Sequence, residues 1–268
     1  MTQPKHEHNK TGDGQTPPGN DRWSPPPSRP VLAGGEVHVW HVNLATPPST
    51  LQSFERILSD DENSRAQRLY FSKDRNRFLV CRGFLRRLLG LYLNLEPAGL
   101  RFCYSDRGKP FLADECGGDL LSFNLSHSHG MALYAITLDS PVGIDLEYCR
   151  REMDYLQVAK QFSSPREIDA LRNLSGPALA EAFFTLWTCK EAYAKAIGLG
   201  LSCPLDQIQV SAGGGKPARF LDIGGNSQKA ADWSLRQLVP QDGYLAAVAV
   251  KGHDRPLKCW VVNPHTVF

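Results

Sequence analysis

The chain has no surplus of charge of either sign. Thirty lysines and arginines stand against 28 aspartates and glutamates, a net charge of +2 over 268 residues. Nothing global in that balance argues for nucleic acid as a partner, although a local cationic pocket stays possible. There is no Cys-x-x-Cys pair. The seven cysteines (Cys81, Cys103, Cys116, Cys149, Cys189, Cys203 and Cys259) are odd in number and scattered. That excludes a disulfide framework and a zinc ribbon, and suits reduced thiols in the cytoplasm. No apolar run approaches the roughly 18 residues of a membrane span. The N-terminus lacks the apolar core of a signal peptide. No membrane association is expected.

Hydrophobic residues make up 41% of the chain, enough for one large domain or two modest ones. Residues 1–30 differ from the rest. They carry seven prolines, three of them consecutive (Pro25–Pro27), and Trp23 is their only aromatic residue. Such a segment cannot bury enough surface to order itself, so it reads as a disordered arm.

From Val31 the pattern becomes globular. "EVHVWHVNL" (36–44) is β-branched and strand-like. Residues 50–58, 60–71 and 74–93 have helical spacing. "LRFCY", "LLSFNL" and "MALYAITL" then read as strands. A second run begins with the strand "PVGIDLEY". Ser164-Pro165-Arg166-Glu167 forms a capping box with proline at the first helical position. Pro177 opens a long helix that Gly198 is placed to end. "DWSLRQL", "YLAAVAV" and "KCWVV" are among the three or four strands expected to close the chain. Helices and strands thus occur twice in a similar order, with no repeat visible at the level of residues. The expected fold is α+β, with two halves of mainly antiparallel sheet, 31–140 and 141–268.

Several charged groups need a reason. In "VGIDLE" (142–147) a strand turns Val142, Ile144 and Leu146 to one face and Gly143, Asp145 and Glu147 to the other. Two carboxylates on one face repel. Either that face is solvated, or it holds a hard cation such as Mg²⁺. In "FFTLWTCKEAYAKAIGLGL" (183–201) Lys190 and Glu191 point into the half of the helix that should be apolar. Buried charge is costly unless paired or ligated. Glu191 would complete a metal site with Asp145 and Glu147, and Lys190 and Lys195 would suit an anion beside it. The plainer alternative has Lys190 snorkelling and Glu191 pairing with Lys195 at i,i+4.

"FNLSHSHG" (123–130) reads as a strand that ends in small polar residues and a glycine. Ser126, Ser128 and the local amides suit a phosphate, with His127 as a further donor. A serine hydrolase is disfavoured because the G-x-S-x-G turn is absent. Gly108-Lys109-Pro110 reads as a turn presenting a lysine. "RAQRLYFSKDRNRF" carries Arg65, Arg68, Lys73, Arg75 and Arg77, most of them expected on solvated faces.

In this order, "GKP", "NLSHS", "GIDLE" and "WTCKEAYAKAIG" resemble four motifs of the 4′-phosphopantetheinyl transferases of the Sfp type, named for the surfactin-synthetase activator. The resemblance runs from about Glu36 to Val210 and onward, without the first thirty residues. It implies two pseudo-symmetric α+β halves with the active site in the cleft between them, in a monomer. It implies Mg²⁺-dependent transfer of the phosphopantetheine arm of coenzyme A to a serine of an apo acyl or peptidyl carrier protein, releasing adenosine 3′,5′-bisphosphate. By similarity, Asp145, Glu147 and Glu191 bind the metal. Arg65, Arg77, Lys109, His127, Lys190 and Lys195 fall at positions that contact coenzyme A. Glu62 stands where some relatives carry a phosphate-binding lysine. Glu191 is the candidate base for the serine, with Lys195 orienting it; a metal-bound water is the alternative. A Mg²⁺-dependent phosphohydrolase and a non-catalytic coenzyme A- or carrier-binding module are the competing functions.

Overall fold

The computed structural model describes residues 23–118, 120–149, 153–211 and 217–263. In chain order these form β1 (Val37–Asn43), α1 (Pro48–Glu55), α2 (Asp60–Gln67), α3 (Ser72–Leu93), β2 (Phe102–Tyr104), β3 (Pro110–Leu112), β4 (Leu121–Ser128), β5 (Met131–Leu138) and β6 (Val142–Tyr148). There follow α4 (Tyr155–Ala159), α5 (Pro165–Arg172), α6 (Gly176–Ile197), β7 (Ile208–Ser211), β8 (Arg219–Ile223), α7 (Ser227–Ala231), β9 (Trp233–Leu238), β10 (Tyr244–Lys251) and β11 (Leu257–Val262).

Two sheets carry the fold, one ordered β11-β1-β5-β4 and one ordered β6-β10-β9. Strand alternation decides what each face meets. In the first sheet Trp40, Val42, Tyr134 and Ile136 pack beneath Val80, Phe84, Leu85 and Leu88 of α3. Its other face, with Val37, Val39, Leu133 and Ala135, packs on Val142, Ile144, Leu146, Val248 and Val250 of the second sheet. The far face of the second sheet presents Ala247 and Ala249 to Phe183, Leu186 and Tyr193 of α6. The result is four layers, helix–sheet–sheet–helix. The mixed α+β class with mainly antiparallel sheets agrees with the sequence.

Two boundaries move. β11 lies in the part of the chain read as the second half, yet it pairs in parallel with β1 of the first sheet, Val39 opposite Cys259. Alternation marks "KCWVV" as a strand but does not say which edge it joins. The arm is also shorter than expected. Ser24 donates its N–H to Cys259 O at 3.2 Å and accepts from Val261 N–H at 3.0 Å. Trp23 meets the His41 ring edge-on at 5.7 Å. One aromatic residue and one strand edge suffice to order residues that composition alone leaves free. The rest of the expected arm, residues 1–22, lies outside the described residues.

The two halves also share a repeat at the level of single residues. Each has an eight-residue helix opened by a capping box, Ser59 with Glu62 on α2 and Ser164 with Glu167 on α5. Each is followed by a 22-residue helix. In the first half Glu62 Oε2 accepts from Arg86 Nε at 2.6 Å, and Arg86 Nη1 also donates to Pro97 O and Leu100 O. In the second half Glu167 Oε2 accepts from Lys190 Nζ at 2.6 Å, and Lys190 also donates to Phe162 O and Leu205 O. Arg86 and Lys190 occupy the same position along their helices.

This corrects the reading of Lys190. Its side chain is 0% exposed and all three of its donors are used inside the second half. Burial pulls its pKa down, and Glu167 opposes that shift. Neighbouring helical positions differ by about 100°, so Lys190 and Glu191 leave α6 in different directions. Lys190 is a core group and does not face a coenzyme phosphate. Glu62 likewise turns inward, onto Arg82 and Arg86.

One close approach sets where β6 meets α6. A Cβ added at Gly143 would overlap the Ala192 carbonyl oxygen and the Ala196 backbone. Only glycine lets strand and helix touch there. Gly143→Ala is expected to lower unfolding free energy by about 2 kcal/mol or more, read by urea denaturation. Lys190→Met leaves Glu167 buried without its cation and should cost about 3–5 kcal/mol. The Lys190→Met/Glu167→Gln double variant should lose less than that single one.

Candidate functional site at the seam between the sheets

The edge strands β4 and β6 lie side by side without a shared backbone ladder. Side chains of β4 take the ladder's place. Asn124 Oδ1 accepts from Ile144 N–H at 2.9 Å. Ser126 Oγ donates to Asp145 Oδ1 at 3.0 Å. Ser128 Oγ donates to Glu147 Oε2 at 3.3 Å and accepts from Tyr148 N–H at 3.1 Å. The spacing of two that faces these residues together is the strand's own period. The phosphate loop expected at "NLSHS" is therefore corrected. The strand runs through Ser128, and the turn falls at His129, whose φ is 51°. Ser126 is a buried strand residue bound to a carboxylate and a lysine.

That lysine is Lys195, in the last turn of α6. Its Nζ reaches Asp145 Oδ1 at 2.5 Å and Ser126 Oγ at 2.9 Å. The i,i+4 neighbour Glu191 is not its hydrogen-bonded partner. Asp145 is 4% exposed, and its second oxygen, Oδ2, is buried with no hydrogen-bond donor. Such an orphan acceptor is costly unless something outside the protein fills the place.

Glu147 and Glu191 flank Asp145. Glu147 Oε1 accepts from Trp187 Nε1 at 3.3 Å. Burial raises the pKa of Glu147, the Asp145 charge raises it further, and Trp187, Ser128 and Lys195 oppose the shift. Burial likewise raises the pKa of Glu191, followed by Asp145, with Lys195 opposing. Three carboxylates thus share a half-buried volume with one lysine. Among the described residues no three acidic, histidine or cysteine side chains already enclose a point as metal ligands do. The donor set is nonetheless right for Mg²⁺, a hard ion that keeps several waters and shares itself between one or two carboxylates and a phosphate. The bare Asp145 Oδ2 is the oxygen free to take it.

On the other side of His127 lies a cavity of about 460 Å³. Arg65, Arg77 and His127 line it together, with Asn124 at the seam and Arg82 and Tyr104 beyond. Burial lowers the His127 pKa, and the positive charges of Arg77 and Lys195 lower it further. His127 lines the cavity and feels the charge of Lys195, the lysine that pairs with Asp145. Lys109 does not line this cavity, although Gly108 and Pro110 do. Its Nζ donates to Ala196 O at 2.8 Å and Val142 O at 3.3 Å. Burial there lowers its pKa to about 8. The expected coenzyme-facing lysine is corrected to one bound to backbone carbonyls of the second half. A turn motif tells which residue is presented, not what it meets.

Sequence reasoning passed over Arg82 and Tyr104. Arg82 is buried, pairs with Glu62 at 3.0 Å and donates to Tyr104 Oη at 2.6 Å. Its signal was available: a charge among Leu79, Val80, Cys81 and Leu85 on the packed part of α3.

Two family models match the chain in succession. One describes the 4′-phosphopantetheinyl transferase superfamily and covers residues 141–249. The other describes the N-terminal part of a 4′-phosphopantetheinyl transferase and covers 45–137. A 4′-phosphopantetheinyl transferase HetI from a Nostoc species is 44% identical over 89% of this chain and 97% of its own length. A 4′-phosphopantetheinyl transferase Sfp from Bacillus subtilis is 30% identical over 59% of this chain and 68% of its own. A phosphopantetheinyl transferase from a Thraustochytrium species is 27% identical over 81% of this chain. With these relatives spanning both sheets and the seam between them, the chain belongs to the 4′-phosphopantetheinyl transferase superfamily and is a transferase.

Proposed function

We propose that the protein transfers the 4′-phosphopantetheine arm of coenzyme A to a serine of an apo acyl or peptidyl carrier protein, with Mg²⁺, releasing adenosine 3′,5′-bisphosphate. The observation that carries this reading is the adjacency at the seam. His127 of a cationic cavity (Arg65, Arg77, His127) lies within electrostatic reach of Lys195, which is bound to Asp145 of an acidic cluster (Asp145, Glu147, Glu191). Coenzyme A has a matching division of charge, with a phosphate on its ribose and a pyrophosphate at the start of its arm.

In this reading Arg65, Arg77 and His127 hold the ribose phosphate. Asp145 and Glu147, with Glu191, would hold Mg²⁺, whose charge supports the pyrophosphate and polarises the phosphorus under attack. Lys195 lies beside the same oxygens and offsets charge that grows on the phosphate. Group transfer at phosphorus asks mainly for such positioning and charge stabilisation. The serine must also lose a proton. Glu191, half-buried beside Asp145 and at i−4 to Lys195, is the candidate base, with a metal-bound water as the alternative. The carrier supplies the hydroxyl.

Cys81, Cys103, Cys116, Cys149, Cys189 and Cys203 carry free thiols, in keeping with a place in the cytoplasm. Among the described residues no helix is long and apolar enough to cross a membrane. Both sides of the seam come from one chain, so a monomer is complete.

Incubation with coenzyme A, Mg²⁺ and an apo carrier domain should add about 340 Da to the carrier, a covalent serine modification read by intact mass. No addition across fatty-acid, polyketide and peptide-synthetase carriers would overturn the reading. Cleavage of coenzyme A without a carrier would point to the phosphohydrolase instead. Glu191→Gln should slow transfer on the order of 100-fold or more. A base must be deprotonated, so the wild-type rate should fall as pH drops into the raised carboxylate range. The Glu191→Gln variant should lose that acid limb. A variant transferring at the normal rate would remove Glu191 from both proposed roles.

A further inference from the structure

The β2–β3 hairpin is a small piece of structure with a large neighbour on each side. Its strands have three residues each. A two-stranded ribbon of that length is marginal by itself. The turn is closed by Gly108 N–H to Ser105 O at 2.8 Å and Ser105 N–H to Lys109 O at 2.9 Å. Gly108, at φ 79°, and Pro110 then form one wall of the cationic cavity.

Two side chains of this turn leave the first half. Arg107 Nη1 donates to Ser202 Oγ. Lys109 Nζ donates to Ala196 O and Val142 O. Ala196 is in the last turn of α6, where carbonyls lack helical partners. The N–H groups of Gly198 and Leu199 go to Ala194 O and Lys195 O. The Lys109 ammonium supplies the cation that the helix end favours. Val142 precedes the glycine that touches Ala192 and Ala196. One half-buried ammonium therefore joins three elements: the cavity wall, β6 and the helix that bears Glu191 and Lys195.

We propose that Lys109 is a positioning residue. It fixes the Gly108–Pro110 wall against α6, so the spacing between the phosphate cavity and the acidic cluster depends on it without contact between its ammonium and a phosphate. The ligand in this statement rests on the coenzyme A reading above. Arg107 with Ser202 is the weaker second tie of the same strap.

The test uses the full chain with Lys109→Met, Lys109→Arg and Arg107→Met. Losing two hydrogen bonds from a charged donor should raise KM for coenzyme A on the order of ten-fold in Lys109→Met. The kcat should stay within about two-fold. Lys109→Arg, which still offers a cation to the carbonyls, should recover most of the loss. The Lys109→Met to wild-type ratio of KM should be the same with 3′-dephospho-coenzyme A, because no phosphate contact has been removed. Without any ligand, amide hydrogen exchange over residues 104–110 should quicken in Lys109→Met. Arg107→Met should shift KM and exchange the same way by a smaller factor, and it decides the matter if Lys109→Met does not fold. An unchanged KM, a penalty that disappears with the dephospho compound, or unchanged exchange would each overturn the strap. Should the wild type modify no carrier, the coenzyme A reading fails, while the exchange measurement still decides the strap.

Discussion

The contact of Gly143 with the backbone of α6 governs what the rest of the site can be. A strand normally stands a side chain's length from the helix that covers it. Here the missing Cβ lets β6 lie directly on Ala192 and Ala196. Asp145, two residues on and on the same face, is thereby brought within an ion-pair distance of Lys195. Burial raises the proton affinity of Glu191, and the Asp145 charge beside it raises it further. Replace that contact with an ordinary strand–helix spacing and the acidic cluster comes apart, although every residue of it remains.

Each half uses buried charge in the same way for a different purpose from catalysis. A glutamate three residues into a short helix closes its own capping box and neutralises a cation from the long helix that follows. The cation then takes up two loop carbonyls: Pro97 and Leu100 with Arg86, Phe162 and Leu205 with Lys190. Burying a lone ion would be prohibitive, but here each cation is paired with a glutamate and gives two further hydrogen bonds to carbonyl oxygens. These knots hold short helices and loops to long helices, leaving the outward positions of the long helices free for chemistry. Glu62 is a member of this pair of knots and stands outside the cavity for that reason.

Much of this was legible in the chain. The alternation of Val142, Ile144 and Leu146 with Gly143, Asp145 and Glu147 told correctly which residues share a face. The Ser164 capping box and the Gly198 stop marked helix ends. Lys190 stands out in the sequence as a charge that needs a partner, and it has one in Glu167. What the sequence could not supply was the partner's address. Lys190 had Glu167 waiting 23 residues upstream, and helical phase alone does not reveal what stands opposite. Lys109 belonged to a turn whose destination is set by the packing of two halves. The serines of "NLSHS" looked like a loop because they are small and polar. They form a strand because their backbone continues the ladder with β5, while their hydroxyls turn to Asp145, Glu147 and Tyr148 of β6.

The placement of β11 has a bearing on how the molecule comes into being. The first sheet needs Leu257–Val262 beside β1, with Ser24 on the strand's far edge. Domains made early in synthesis generally fold as units while the remainder is still being added. The first sheet here lacks one of its strands until Leu257–Val262 has been made. Its β1 edge waits, unpaired, until the ribosome has delivered residues from the far end of the described chain. The second sheet, contained within Val142–Lys251, is free to assemble sooner. The last described strand closes a sheet begun by the first.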